Sequence, residues 1–424
     1  MLVLAPLLLL ASATSAFPNF SSGAPHRRLS ERSPHKGVFS VRAPAGPQQP
    51  EQEPVAVVDG LKRVPDEDHP FQAPGPTDRR GPCPGLTRIL ANHGYISRSG
   101  IVTVDEVTKA SVDALGMGVE IASLVSILSL AYDGDLLSGK FSIGAPDNRT
   151  AALGALQNIL GVEGGLDYHN TLEGDASTTR QDAYFGDNHS MDPNLYAQMK
   201  RIAAKHGGVY GYDTMKEVLQ TRYDDSRARN PTFYWLPVAA LVPLGSKTFI
   251  ANLFANGTYG AGGVPNEATI SAFLGARALP DGRYESVPER FPDNWYRRAE
   301  PLNIVEALAV ILDFILSTDV PFGANAGRTD AFLPLEVDVG NVGGLACFVL
   351  TALQANVPSM IAQPLRDVEA IVSQVLDKIT PLFEDFGCPA YNATHAQAYK
   401  DLSKWNVFGP PPASQDQVYG RKSS

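Results

Sequence analysis

Apolar residues recur at helical spacing through most of the chain and alternate at strand spacing in few places. Leu86, Ile89 and Leu90 set a helical stripe that Gly94 ends. Thr103 to Tyr132 reads as one long helix, opened by a capping box of Thr103 with Glu106. Its second half, Ile121 to Leu130, is almost wholly apolar and is expected to be buried. Ser123, Ser126 and Ser129, with Glu120 before them, argue against a membrane span. Asp192-Pro193 opens a helix that stops at Gly207-Gly208, and Asp213 opens another to about Arg229. Asn303 to Leu316 keeps helical period, with Glu306 and Asp313 as polar breaks; Arg366 to Phe383 does so too, with Pro381 near its end. Phe332 to Val339 is the best short strand. No internal repeat is visible. The pattern predicts an all-α, mostly helical single domain with few short strands.

The N-terminal part departs from that pattern. Met1 to about Ala16 reads as a signal peptide, with an apolar run at Leu7 to Leu10 and small-residue cleavage sites at Ala11-Ser12-Ala13 or Thr14-Ser15-Ala16. From Phe17 to about Arg80 the chain is rich in Pro, Gly, Gln and charge and has little periodicity. The expected organisation is a signal peptide over 1–16, a Pro-rich pro-segment or surface arm over 17–66, and one domain over 67–424. Arg27-Arg28 and Lys62-Arg63 are dibasic pairs open to processing, or lie in an unprocessed linker. Secretion agrees with N-glycosylation sequons at Asn19, Asn148, Asn188, Asn256 and Asn392; Asn230 precedes Pro231 and is not one.

The length of 424 residues and an apolar fraction of 44% allow a large core. A net charge of −10 argues against nucleic acid as a partner. The chain has three cysteines, so one is left over from any single bridge. Cys347 and Cys388 lie together in the C-terminal part and are the favoured pair, although spacing alone leaves other pairings open. Cys83 stands at the N-cap position before Pro84 and the Leu86–Ile89–Leu90 stripe. Free N–H groups and the positive end of the helix dipole favour a thiolate there. The plainer reading of any cysteine in a secreted chain is half of a disulfide.

The segment Pro82-Cys83-Pro84-Gly85-Leu86, continued by Ala91-Asn92-His93-Gly94-Tyr95, resembles the proximal-ligand segment of the fungal haem-thiolate peroxidases. This is the chloroperoxidase and unspecific peroxygenase family. The run Glu173 to Arg180, Glu-Gly-Asp-Ala-Ser-Thr-Thr-Arg, resembles that family's acidic magnesium motif, and its continuation Asp182 to His189 is similar to the long peroxygenases. The resemblance implies haem b with Cys83 as axial thiolate, Asn92 and His93 in the same motif, and Mg2+ on Glu173, the Gly174 carbonyl and Ser177. It implies that Arg180 pairs with a haem propionate and that Phe249 stands at a pocket aromatic. The bland readings are a hydrogen-bonded structural histidine for His93, which we prefer, an ordinary solvated turn for the acidic run, and plain core for Phe249.

One element departs from the family. Splitting peroxide needs a distal acid–base group to carry a proton between the two oxygens. Long peroxygenases supply a glutamate just before a segment like Thr248-Phe249-Ile250-Ala251-Asn252-Leu253-Phe254, with an arginine upstream. Here those positions hold Ser246 and Ala239. The resemblance therefore implies a secreted peroxidase or peroxygenase that uses hydrogen peroxide to oxidise aromatic or other apolar small molecules. Two alternatives stand beside it. One is a tailoring enzyme of secondary metabolism with an altered distal site; the other is a secreted haem binder without activity.

Overall fold

The computed structural model describes residues 60–81, 86–136, 138–150, 165–168, 172–257, 264–335, 337, 339–361 and 369–389. Cys83, the expected signal peptide, and the sequons at Asn19 and Asn392 lie outside them. The fold is mostly helical, as the periodicity predicts. Helix α1 (Leu86–His93) buries Leu86, Ile89 and Leu90, and Gly94 follows at φ 75°.

The expected long helix from Thr103 is two helices, α2 (Val104–Leu115) and α3 (Val119–Asp133). Gly116 caps α2 in the left-handed region at φ 69°, and Gly118 begins α3 in extended backbone. A left-handed C-cap favours glycine because a side chain there crowds the backbone. Gly116 is the local signal that a periodicity argument passes over. The two helices pack against each other. The capping box is half made. Thr103 accepts from the Glu106 N–H at 3.3 Å, while the Glu106 carboxylate accepts from the Ser97 N–H.

Helices α4 (Pro193–Lys205), α5 (Tyr212–Arg229), α6 (Pro237–Leu253), α7 (Glu267–Leu274), α8 (Ile304–Ser317), α9 (Val342–Ile361) and α10 (Glu369–Ile379) follow. Asp192 caps α4 by accepting from the Asn194 and Leu195 N–H groups, and Asn303 caps α8 through the Glu306 N–H. The region expected as one helix to Phe383 is α10 followed by a 3-10 segment, Thr380–Phe386, that begins beside Pro381. Of the strand expected over 332–339, the described residues form Phe332–Pro334; it pairs antiparallel with Gly323–Asn325, which pairs in turn with Tyr234–Trp235.

Helix α6 sits at the centre and packs on α5, α8 and α9. Its sequence is mostly apolar and its few polar residues, Ser246, Lys247, Thr248 and Asn252, are buried too, as befits a central helix. Pro243 lies inside it and has no N–H for the Ala239 carbonyl one turn earlier. A bridge joins Cys347 of α9 to Cys388, with Cα atoms 5.1 Å apart, so Cys83 is the cysteine left over. Among the described residues no helix is long and apolar enough to cross a membrane.

The folded body begins earlier than residue 67. Lys62–Arg63 forms a short strand against Tyr296–Arg297, Lys62 pairs with Asp113 at 2.8 Å, and Val64 is fully buried. The dibasic pair is thus part of the fold rather than an open linker. Residues 66–80 run over the surface as an arm, tied down by bonds such as Gln72 N–H to the Asn92 carbonyl at 2.8 Å. Of the described sequons only Asn148 is exposed; Asn188 and Asn256 are buried.

Candidate active site

The loop Glu173 to Arg180 is a buried turn held from below by side chains far away in sequence. Its plain reading as a solvated loop does not hold, since Glu173, Asp175, Thr178, Thr179 and Arg180 are all buried. Asp175 faces away from any ligand position: it accepts from the Asn230 amide at 3.1 Å and the Tyr234 N–H at 2.9 Å. Ala176 adopts φ 57°, a left-handed conformation that a residue with a side chain takes only when its surroundings enforce it. Two groups do so. Asp182 accepts the Ala176 N–H at 3.0 Å, and the Lys247 ammonium donates to the Ala176 carbonyl at 3.0 Å. Asp182 also accepts from Ser226 and Asn230, each at 3.0 Å, and Arg222 donates to the Ser177 carbonyl at 2.9 Å. This network fixes which groups of the turn point outward.

Gly174 is where α6 comes closest. A Cβ at this position would stand 2.5 Å from the Ala239 carbonyl and 3.3 Å from Pro243, so only glycine lets the turn lie on the helix. Glu173, Gly174 and Ser177 then line one small cavity together with Asn188, Val242, Pro243 and Ser246. The two motifs of the sequence, the acidic turn and the distal position, therefore meet. Ser246 is 3% exposed and donates its hydroxyl proton to the Pro243 carbonyl at 2.9 Å. Ala239 and Phe249 are buried core residues that do not line the cavity.

Glu173, Gly174 and Ser177 can offer a carboxylate, a carbonyl and a hydroxyl, hard oxygen donors of the kind that suit a cation such as Mg2+. Among the described residues no three His, Cys, Asp or Glu side chains come together, so any cation here would rest on this mixed set.

Arg180, expected toward a propionate, is 1% exposed and pairs with Glu289 at 2.9 Å. The same Glu289 oxygen accepts from Arg88 of α1 at 2.8 Å, and the Glu289 carbonyl accepts from Asn92 at 2.8 Å. Asn92 accepts in turn from Arg80 at 2.8 Å. Asn92 is thus a brace between α1 and the 289 segment. His93 has both ring nitrogens engaged: Nδ1 with the His69 carbonyl at 2.9 Å, and Nε2 with the Phe291 N–H at 3.2 Å. The pattern requires Nδ1 to donate and Nε2 to accept, so the ring is neutral and no lone pair remains for iron. The structural reading of His93 holds.

Burial lowers the His93 pKa from 6.5, whereas burial pushes the Asp167 carboxyl well above the usual carboxylate range. For His93 the unfolded chain binds the extra proton, so its contribution is present above about pH 6.5 and is lost as pH falls below it. The slope is at most about 1.4 kcal/mol per pH unit for one such group. Replacing His93 with glutamine is expected to flatten the stability profile between pH 6.5 and 5, read by urea unfolding at fixed ionic strength. An unchanged slope would assign the acid sensitivity to other groups. Asp167 acts in the opposite sense: its neutral form is favoured in the fold, so its contribution is present at low pH and falls as pH rises above the unfolded carboxylate range.

Glu289 and Lys247 carried no local signal as site residues, because their partners lie up to 201 positions away. Asp182 and Asn188 lie in the run similar to the long peroxygenases, which gave neither a role, and the sequon at Asn188 suggested a different one.

Comparison with known proteins follows the same lines. The family model described as "Peroxidase, family 2" matches residues 69–300. A dothistromin biosynthesis peroxidase from Dothistroma septosporum is 29% identical over 364 residues, covering 81% of this chain and 86% of the relative. An aromatic peroxidase from Fusarium equiseti is 31% identical over 339 residues, covering 74% and 76%. An aromatic peroxygenase from Cyclocybe aegerita is 33% identical over 288 residues, covering 67% and 74%.

Proposed function

Since the chain belongs to peroxidase family 2, the chloroperoxidase family, and is a peroxide-dependent oxidoreductase whose family implies a haem-thiolate cofactor, we propose that it is secreted and oxidises aromatic or other apolar small molecules, with haem b on Cys83 and Mg2+ on Glu173, the Gly174 carbonyl and Ser177. The observation that carries this reading is the single cavity shared by the acidic turn and Ser246. The donor set fits a hard cation, and Val242 and Pro243 add apolar lining. When bound, a haem with a thiolate ligand supplies the electron push that favours breaking the peroxide O–O bond. Glu173 supplies the one formal negative charge of the cation set, and the Asp182–Lys247 clamp on Ala176 keeps that set aimed at the cavity.

A second reading rests on Ser246. Its hydroxyl proton is engaged with the Pro243 carbonyl, and an alcohol does not act as a base near neutral pH without a partner. Ala239 offers no charge. Such a site would suit a tailoring reaction whose substrate brings its own acid–base group; one relative is named for a biosynthetic role.

Cys83→Ala tests the main reading. The variant is expected to lose the thiolate-type ferrous–carbonyl spectrum and peroxide-dependent oxidation of a simple phenol, and Cys83→Ser to weaken both. An unchanged spectrum in either would move the axial ligand to another residue.

A further inference from the structure

We propose that Asn188 is a fourth protein ligand of the divalent cation, with its side-chain oxygen completing the set formed by Glu173, the Gly174 carbonyl and Ser177. The proposal rests on the reading of that turn as a cation site and adds a residue to it.

Asn188 is fully buried and lines the same cavity as the other three. Its amide nitrogen donates to the Asp167 carbonyl at 3.2 Å. A carbonyl accepts from the amide's N–H end and cannot bond to its oxygen, so this bond decides which end faces Asp167. The oxygen is the other end, and it has no hydrogen-bond partner among the described residues. A buried amide oxygen left in this state is destabilising. A hard cation in the cavity would remove that cost, because an amide carbonyl is an ordinary ligand for such ions.

Charge favours the same role. A divalent ion on Glu173, a carbonyl and a hydroxyl keeps one uncompensated positive charge. A neutral amide adds an oxygen without adding charge, and so leaves that charge for an anionic group of a cofactor or substrate. The same burial argues against the sequon at Asn188, since a glycan cannot sit on a side chain enclosed by the fold.

The experiment uses purified haem-loaded protein, stripped of divalent ions by dialysis and titrated with MgCl2 alone. Bound magnesium is read by elemental analysis, and thermal unfolding is followed with and without the ion. Asn188→Leu is expected to weaken Mg2+ binding about 10–100-fold, the range typical when a supporting ligand interaction is lost. Asn188→Asp, which is nearly isosteric, is expected to bind Mg2+ at least as tightly as the parent and to gain more thermal stability from it. Peptide mapping should find position 188 without glycan.

If Asn188→Asp loses the same stability with and without Mg2+, and Asn188→Leu binds the ion like the parent, Asn188 only braces Asp167 and the proposal fails. A glycan on Asn188 overturns it too. Glu173→Gln separates this failure from that of the underlying reading. If Glu173→Gln weakens Mg2+ binding while the Asn188 variants do not, the cation site stands and Asn188 leaves it. If all variants bind like the parent, the turn is not a cation site at all.

Discussion

Peroxide consumption by the Ser246→Glu variant is expected to be at least about 100-fold faster than by the parent protein, the lower end of what a positioned proton-transfer group contributes. The structure gives the reason and the condition. Position 246 lines the same cavity as the acidic turn, so a carboxylate there would stand at the position that the resemblance gives to the distal acid–base group. The wall around it is apolar and Glu173 shares the space, so burial and like charge both raise the pKa of the new group. A cation on Glu173 cancels part of that effect. The gain should therefore be largest with Mg2+ present and shrink after its removal. An arginine at 239 is a costlier addition than the sequence suggests. Ala239 is buried, with its carbonyl against Gly174, and overpacking a core position typically costs about 1–3 kcal/mol. The single variant is thus the cleaner test. Stopped-flow mixing with peroxide measures the step. A parent protein already as fast as the variant would mean that another residue of this chain moves the proton.

Loss of Glu289 should have the largest effect on stability. Glu289→Leu leaves Arg180, almost fully enclosed, and Arg88 without their shared carboxylate. Removing one partner of a buried ion pair costs about 3–5 kcal/mol, because the remaining charge stays out of water. Denaturant unfolding of haem-free and haem-loaded protein gives two numbers. If Arg180 also reaches a propionate, the loss is smaller in the haem-loaded form, since that anion replaces the missing carboxylate. Equal losses would assign Arg180 to Glu289 alone. A loss below about 1 kcal/mol in both would show that water relieves the arginines and that the pair is not the brace described above.

The sequence by itself determined what depends on neighbours within a few positions. Helical stripes placed α1, α4, α5 and α8 within a residue or two of their observed bounds, because local caps such as Asp192 and Asn303 act on the N–H groups just beyond them. The sequence favoured Cys347–Cys388 without excluding other pairings, and the structure holds that bridge. The acidic turn and Ser246 were legible because they lie within recognisable motifs.

Tertiary structure decided the rest. Whether an acidic turn is a solvated loop or a buried cradle depends on Asp182, Lys247, Arg222 and Asn230, which reach it from six to seventy-one positions away. Periodicity ran straight through Gly116, because an apolar stripe records which face is buried and not where the axis turns. Carboxyl and amide residues read alike along the chain; burial and partners set Asp175 as a brace and Glu173 as a cavity group, and leave the Asn188 amide oxygen without a hydrogen-bond partner among the described residues. A side chain's chemistry is local, but the desolvation and hydrogen bonds that assign its role come from whichever part of the chain is packed against it.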